Sequence, residues 1–490
     1  MGFIEYEQVE QAYLDRRRLR PSAGWKLLWA MGVGAVISGD FAGWNLGLPV
    51  AGFWGFVLST LIVATMYVCM VFSIAELSAS LPFAGGFFSF ARHALGPFGG
   101  FVCGMTDVIE YVLSPAVIVY FIAEYMQPVF PGVSPPVWWI VFYVLFVGIN
   151  VWGAGITFRV GLMVTLVALA VLIGFFASVL WTGAFDSELL FNIPAETGRD
   201  PRGLTHGWPG VLLAMPFAIW LFLGIEQLPV AAEETHDVVR DMPKALVWSL
   251  VTLLVLGLAT VVLNSGVGGG AVAIGRSGAP LNDGFLATLG HGYAPPWFLS
   301  LAAVAGLVAS FHSLIYAYGR VLFALSRAGY IPRWLSLTTS RHTPGWALVA
   351  GGVVGLGCTF LLHQASGTGV GSALLNMAVF GAVISYTLVM VSFIKLRITQ
   401  PDLPRPYRSP LGVPGAVVGA VVACFALSAT MLSPDYLPAV LGVALFLAVA
   451  IVYFWLYSRR RLVAQAPEEE VALLQAAERE LHGDAPDMTR

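Results

Sequence analysis

The chain has 490 residues, 58% of them hydrophobic and 11% charged, with a mean hydropathy of +0.80. Soluble domains carry about 25% charged residues, so a soluble globular protein is excluded and a polytopic membrane protein is indicated. The net charge of −3 conceals no basic block, which argues against nucleic acid as a partner.

Residues 1–24 hold no apolar stretch ahead of Arg16, Arg17, Arg18 and Arg20, so they predict a cytoplasmic tail rather than a cleaved signal peptide. A helical span takes about 20 apolar residues. That ruler predicts spans over 25–48, 52–77, 98–127, 135–153, 158–182, 209–231, 245–265, 295–325, 344–363, 370–396, 412–432 and 437–457, twelve in all. Loops on one side carry nearly all the Lys and Arg, while those on the other hold only Arg199, Arg202 and Arg276. The positive-inside rule then places both termini in the cytoplasm. The segment 77–96, with a counterpart after the eighth span, reads as an amphipathic, aromatic stretch that lies along or re-enters the inner surface. The tail 458–490 reads as a polar cytoplasmic end, helical in part. Cys69, Cys103, Cys358 and Cys424 all fall inside spans and read as packing residues, neither a disulfide frame nor a metal cluster.

Two spans are interrupted. In the first, Ile37-Ser38-Gly39-Asp40-Phe41-Ala42-Gly43 places glycines and a carboxylate in the middle of an apolar run. In the sixth, Gly224, Glu226 and Pro229 do the same. Breaking a helix at membrane depth frees backbone groups, which is tolerable only where they line a cavity or meet other protein. An ionisable residue at a span centre costs roughly 2.5–3.5 kcal/mol on insertion scales, so Asp40 marks a functional position. Broken helices five spans apart predict an inverted five-plus-five repeat, residues 25–182 and 209–396, with 412–457 added as two further helices. The fold class expected is therefore an all-α polytopic membrane protein of twelve helices.

The segments "SGDFAGWNLGL", "IAELSASLPFAGGFFSFARHALGPFGGFVCG", "TDVIEYVLSPAVIV", "GIEQLPVAAEETHDVVRDMPKA", "YGRVLFALSRAGYIP" and "QPDLPRPYRSPLG" resemble the amino acid–polyamine–organocation transporter superfamily. Within it the chain looks most like the ethanolamine permeases, on "SGDF", "DVIEYV" and "IEQLPVAAEETHD". The resemblance implies the fold shared with LeuT, alternating access around the two breaks, and transport without ATP. The sequence agrees on the last point, since it contains no phosphate-binding P-loop motif.

Amino acid carriers of that superfamily usually read G-S-G-[IV]-F at the first break, where freed N–H groups receive a substrate carboxylate. This chain departs from the pattern with Ile37 for the first glycine and Asp40 for the aliphatic residue. A protein carboxylate there suits an amine that has none of its own. The other reading of Asp40 is an N-cap of the outer half-helix. Glu110, in the third span, is a candidate for substrate or proton binding, or else a protonated carboxyl bonded across helices. Asp107 lies one turn away and is placed to share its proton. By resemblance Glu226 is a gating or coupling residue, Trp220 the aromatic gate, and Leu221, Phe222, Leu223 and Gly224 line the same break. Ser114, His312, Ser313, Tyr316 and Asn376 are weaker candidates. Glu76, Arg92, Glu233, Glu234, Asp237, Arg240 and Arg327 read as ion pairs at inner ends. Many proton-coupled relatives carry a Lys in span five, where this chain has Ala168.

The expected function is import of a small primary amine, ethanolamine first, across the cell's inner membrane, with proton coupling and, as the other choices, sodium coupling or simple exchange. Substrate-binding residues are Ile37, Ser38, Gly39, Asp40, Glu110, Trp220, Leu221, Phe222, Leu223 and Gly224, and gating or coupling falls to Glu226, Trp220 and Asp107. The alternatives are an amino acid or other amine permease and, from another class, a membrane amine sensor. Hydrolase and metalloenzyme motifs are absent, so no enzyme activity, cofactor or metal is expected.

Overall fold

A computed structural model describes residues 4–290, 292–364, 370–431 and 436–481. The N-terminal segment forms β1 (Tyr6–Glu7) and the short helix α1 (Gln11–Asp15). The first predicted span is split into α2 (Trp25–Val36) and α3 (Ser38–Phe41). Then come α4 (Gly47–Ser80), α5 (Phe87–Met126), α6 (Pro135–Trp152) and α7 (Ala154–Thr182). The sixth predicted span is divided again, into α8 (Gly207–Leu213), α9 (Met215–Trp220) and a 3-10 segment Ile225–Glu234. It is followed by α10 (Val238–Ser265), the short outer helices α11 (Gly270–Arg276) and α12 (Pro280–Leu289), then α13 (Pro296–Ala303) and α14 (Ala305–Arg327). Last are α15 (Gly345–Gln364), α16 (Val370–Thr399), α17 (Gly412–Met431), α18 (Leu437–Leu456), β2 (Leu462–Val463) and α19 (Pro467–Leu481).

Among the described residues, ten helical stretches are long and apolar enough to cross a membrane. In hydrocarbon every backbone group must be satisfied within its own segment, which is why the apolar runs fold as helices. Burial orders them. The most apolar stretch of α5 is 83% buried while those of α6 and α18 are 22% buried, so α5 runs through the middle and α6 and α18 lie on the outside. Val144, Leu145, Met163, Leu180, Leu445 and Val449 on the outer helices are exposed, as a lipid-facing belt requires. α5 packs between α14 and α16, and α2 between α7 and α10.

Two expectations gain detail. Of the two courses expected for the segment 77–96, along the inner surface or re-entering it, the buried one is found. From Phe87 it is the opening of α5, with Phe87, Phe88 and Phe90 buried, and the helix changes direction at Gly96, φ 81°, just before Pro97. The tail is not merely a polar end. β2 pairs in parallel with β1, Tyr6 opposite Leu462, so both termini are knitted together on one face. Beyond it the start of α19 inserts two buried acids: Glu468 pairs with Arg327 at 2.5 Å, and Glu469 with Arg92 at 2.5 Å and with the Tyr330 hydroxyl at 2.7 Å. Charged side chains are buried only when paired, and those arginines supply the pairs.

Of the other acids read as inner-end ion pairs, Glu76, Glu233 and Glu234 are paired on this face, while Asp237 makes no ion pair among the described residues. Glu76 meets Arg397 at 2.6 Å and Arg405 at 3.2 Å. Glu233 meets Arg327, and Glu234 meets both Arg320, at 2.9 Å, and the Tyr316 hydroxyl. Asp237 caps α10 by accepting from the Arg240 N–H.

Candidate functional site

The first break begins where α2 ends. Ile37 leads into the four-residue α3, and Ala42 then becomes extended, φ −159° and ψ 156°. The freed backbone groups are met by side chains from distant helices. Ser310 of α14 accepts from the Ser38 N–H at 2.9 Å and donates to the Gly34 carbonyl at 2.7 Å. The Tyr125 hydroxyl donates to the Phe41 carbonyl at 2.5 Å, and Trp220 Nε1 donates to the Ala42 carbonyl at 3.0 Å. Such partners are what an unwound segment at membrane depth needs.

The second break falls at Gly224, whose φ of 112° is a conformation that other residues enter only at a cost. Glu226 folds back over it, Oε1 accepting from the Gly224 N–H at 2.8 Å. The two breaks are in direct backbone contact. A Cβ added at Gly39 would stand 2.8 Å from the Trp220 carbonyl oxygen and 2.9 Å from Leu221 Cα. Gly39 is therefore required by close approach of the sixth-span backbone.

Four acids surround this junction. Asp40 is buried, both its carboxyl oxygens lack a hydrogen-bond partner among the described residues, and it faces Thr260 of α10, whose hydroxyl is also unpartnered. Asp40 caps no helix here, since neither oxygen accepts from a backbone N–H. Glu110 is buried with both oxygens unpartnered and faces Glu226, whose Oε2 is unpartnered too. Asp107 lies beside Glu110, and Tyr386 beside Glu226 with its hydroxyl 3.1 Å from that of Tyr67. Among the described residues none of Asp40, Asp107, Glu110 and Glu226 has a cationic partner, in contrast to the neutralised acids of the terminal face.

A cavity of about 10 Å³, room for roughly one water, lies at the junction between Ala35, Ser38, Ser114, Ile118, Trp220, Leu223 and Leu314. Of the predicted binding residues, Ser38, Trp220 and Leu223 line it directly. Gly39, Leu221 and Gly224 form the backbone junction beside it, Ile37 is buried just ahead of α3, and Glu110 lies one turn from Ser114. Asp40 is directed toward α10 instead, and Phe222 packs on the Tyr67 ring, 5.5 Å between centroids. His312 is a satisfied structural residue, Nε2 lying 2.9 Å from the Thr157 carbonyl oxygen and Nδ1 3.3 Å from Asn150 Nδ2. Sequence reasoning missed Ser310, Tyr125, Tyr67, Tyr386 and Thr260. The signal available for the tyrosines was that a hydroxyl carried into an apolar span needs a partner.

Helices that span a membrane, two of them broken and touching around a small cavity, define the build of a solute carrier. A sequence profile for amino acid permeases matches residues 24–457. The chain belongs to the amino acid permease family, whose members are transporters rather than enzymes. It is 28% identical over 341 residues to an uncharacterized transporter of Rhizobium meliloti, covering 68% of this chain and 71% of that one. To the branched-chain amino acid permease of Bacillus subtilis it is 26% identical over 460 residues, 88% and 92% of the two chains. To the tryptophan permease of Saccharomyces cerevisiae it is 23% identical over 417 residues, 81% and 68% of the two chains.

Proposed function

We propose that this permease imports a small primary amine, ethanolamine first, by alternating access and in company with a proton. In this reading it lies in the cell's inner membrane with both termini cytoplasmic. Residues 25–182 and 209–396 form two inverted five-helix halves, and 412–457 adds two helices to make twelve. What carries the reading is the set of buried acids without counter-charge at the junction of the breaks. An isolated carboxylate in a low-dielectric interior must take up either a proton or a cation.

The acids divide the work. Asp40, on the short helix α3 at the first break and next to Thr260, receives the ammonium group once the junction opens. Glu110, Glu226 and Asp107 lie close enough to repel one another when ionised, which suits them to hold the coupling proton. Trp220, tethered by its indole N–H to the Ala42 carbonyl, is the gate between the half-helices, and cargo enters when it withdraws. Ile37 to Gly39 and Leu221 to Gly224 supply the backbone walls.

A second reading is an amino acid as cargo, favoured by the relatives described as branched-chain and tryptophan permeases and by the apolar walls Ile118, Leu223 and Leu314. Uptake of labelled ethanolamine into proteoliposomes separates the two. Ethylamine should compete, whereas alanine and choline should not; competition by alanine but not ethylamine favours the amino acid. Saturable binding without any accumulation would mean an amine sensor.

A further inference from the structure

The face that carries both termini holds a cleft with no part in the junction of the breaks. Its walls come from three places: Arg20 ahead of α2, Gly153, Gly155 and Arg159 around the start of α7, and Arg341 and His342 from the loop before α15. Its volume is about 370 Å³, far larger than the central cavity. No Asp or Glu lines it. Arg20 and Arg159 make no side-chain hydrogen bond or ion pair with any described residue. Arg341 is fixed in place, donating to the Trp152 carbonyl at 2.9 Å with its guanidinium 5.4 Å from the centre of the Trp152 ring.

Three guanidinium groups around one concavity repel one another unless an anion sits between them. The wall adds to their field. α7 starts at Ala154 with no side chain capping its first turn, so its positive end faces the same space. Arginine forks suit the oxygens of a phosphate. The cleft also borders apolar surface: Trp152, Ile156 and Met163 are exposed, and Ile156 and Met163 share one face of α7 at a spacing of seven residues. A ligand with a phosphate head and an apolar tail would fill both parts, and a lipid of the adjoining leaflet has that form.

We infer that this cleft binds a phosphate group, carried by an anionic phospholipid whose acyl chain lies along Ile156 and Met163. On the positive-inside reading the leaflet is the cytoplasmic one, which holds anionic lipid.

The test follows the thermal stability of the detergent-purified full chain while phosphatidylglycerol, phosphatidylcholine or inorganic phosphate is titrated in. Phosphatidylglycerol should raise the melting temperature saturably where phosphatidylcholine does not. The Arg20→Gln/Arg159→Gln variant, which removes two exposed and unbonded side chains, should need more phosphatidylglycerol for half the effect, about fivefold for each arginine. Lysine at both positions should retain most of the response. Arg16→Gln/Arg18→Gln removes equal charge from the same tail outside the cleft and should titrate like the unaltered chain. Stabilisation by inorganic phosphate with the same arginine dependence would keep the site and assign it to the free anion. Equal effects of the two lipids with none from phosphate, or equal losses in the two double variants, would overturn the inference.

Discussion

At the scale of single residues, the contrast is between acids that the protein neutralises and acids that it does not. Glu234 and Glu469 are as deeply buried as Glu110, yet each has an arginine. On the function proposed above, leaving Glu110 alone makes it a place for the coupling proton. Glu110→Gln fixes the neutral form, so we expect a pH gradient to stop driving uptake while exchange of external for internal cargo continues. Uptake that still follows the pH gradient would remove Glu110 from coupling. Gly39 gives a steric prediction. A methyl group in Gly39→Ala meets sixth-span backbone rather than a movable side chain, and overpacking of this kind costs roughly 1–3 kcal/mol. The variant should insert and fold, melt several degrees lower, and transport at least tenfold more slowly; an unchanged rate would mean the breaks part more readily than their contact implies.

At the scale of elements, the helices and their breaks were readable because both signals are local. Long apolar runs announce spans, and Gly39, Asp40, Gly224 and Glu226 stand out inside such runs. What satisfies the breaks was not readable. Ser310 lies 272 residues from Ser38, and Tyr125 lies 84 from Phe41, and no spacing in the sequence links them. Nor could the acidic tail disclose its docking, since Glu468 and Glu469 look like any solvated helix start until Arg327 and Arg92 are placed opposite them. That docking is sensitive to pH. Burial, aided by Glu233, holds the Glu468 carboxyl above the ordinary carboxylate range against the pull of Arg327. A group that binds its proton more tightly when docked favours docking at low pH. The contribution fades as pH rises from the ordinary value of about 4.3 through the raised one. Hydrogen exchange at residues 467–474, corrected for intrinsic rates, should therefore quicken as pH rises, and Glu468→Gln should flatten the trend. Protection that grows with pH would contradict this.

At the scale of the whole molecule, the structure presents a carrier closed around its own centre. The central cavity has room for about one water, and the terminal face is bound by the Arg320–Glu234, Arg327–Glu233 and Arg327–Glu468 pairs. Opening toward that face must separate charges that are buried in pairs, and removing one partner of such a pair costs about 3–5 kcal/mol. Arg320→Ala leaves Glu234 buried without its counter-charge, so the variant should melt markedly lower in detergent. A melting temperature equal to that of the unaltered chain would mean this pair does not hold the face closed.

The account depends most on the unpaired carboxylate of Asp40 and its meeting with an ammonium group. Counterflow of labelled ethanolamine into proteoliposomes, comparing the unaltered chain with Asp40→Asn, measures that directly. The substitution replaces a buried, uncompensated carboxyl by an amide of nearly the same shape, so the variant should melt no lower than the unaltered protein while ethanolamine exchange falls at least tenfold. A well-folded variant that exchanges ethanolamine at the original rate and affinity would contradict the assignment of the amine to Asp40.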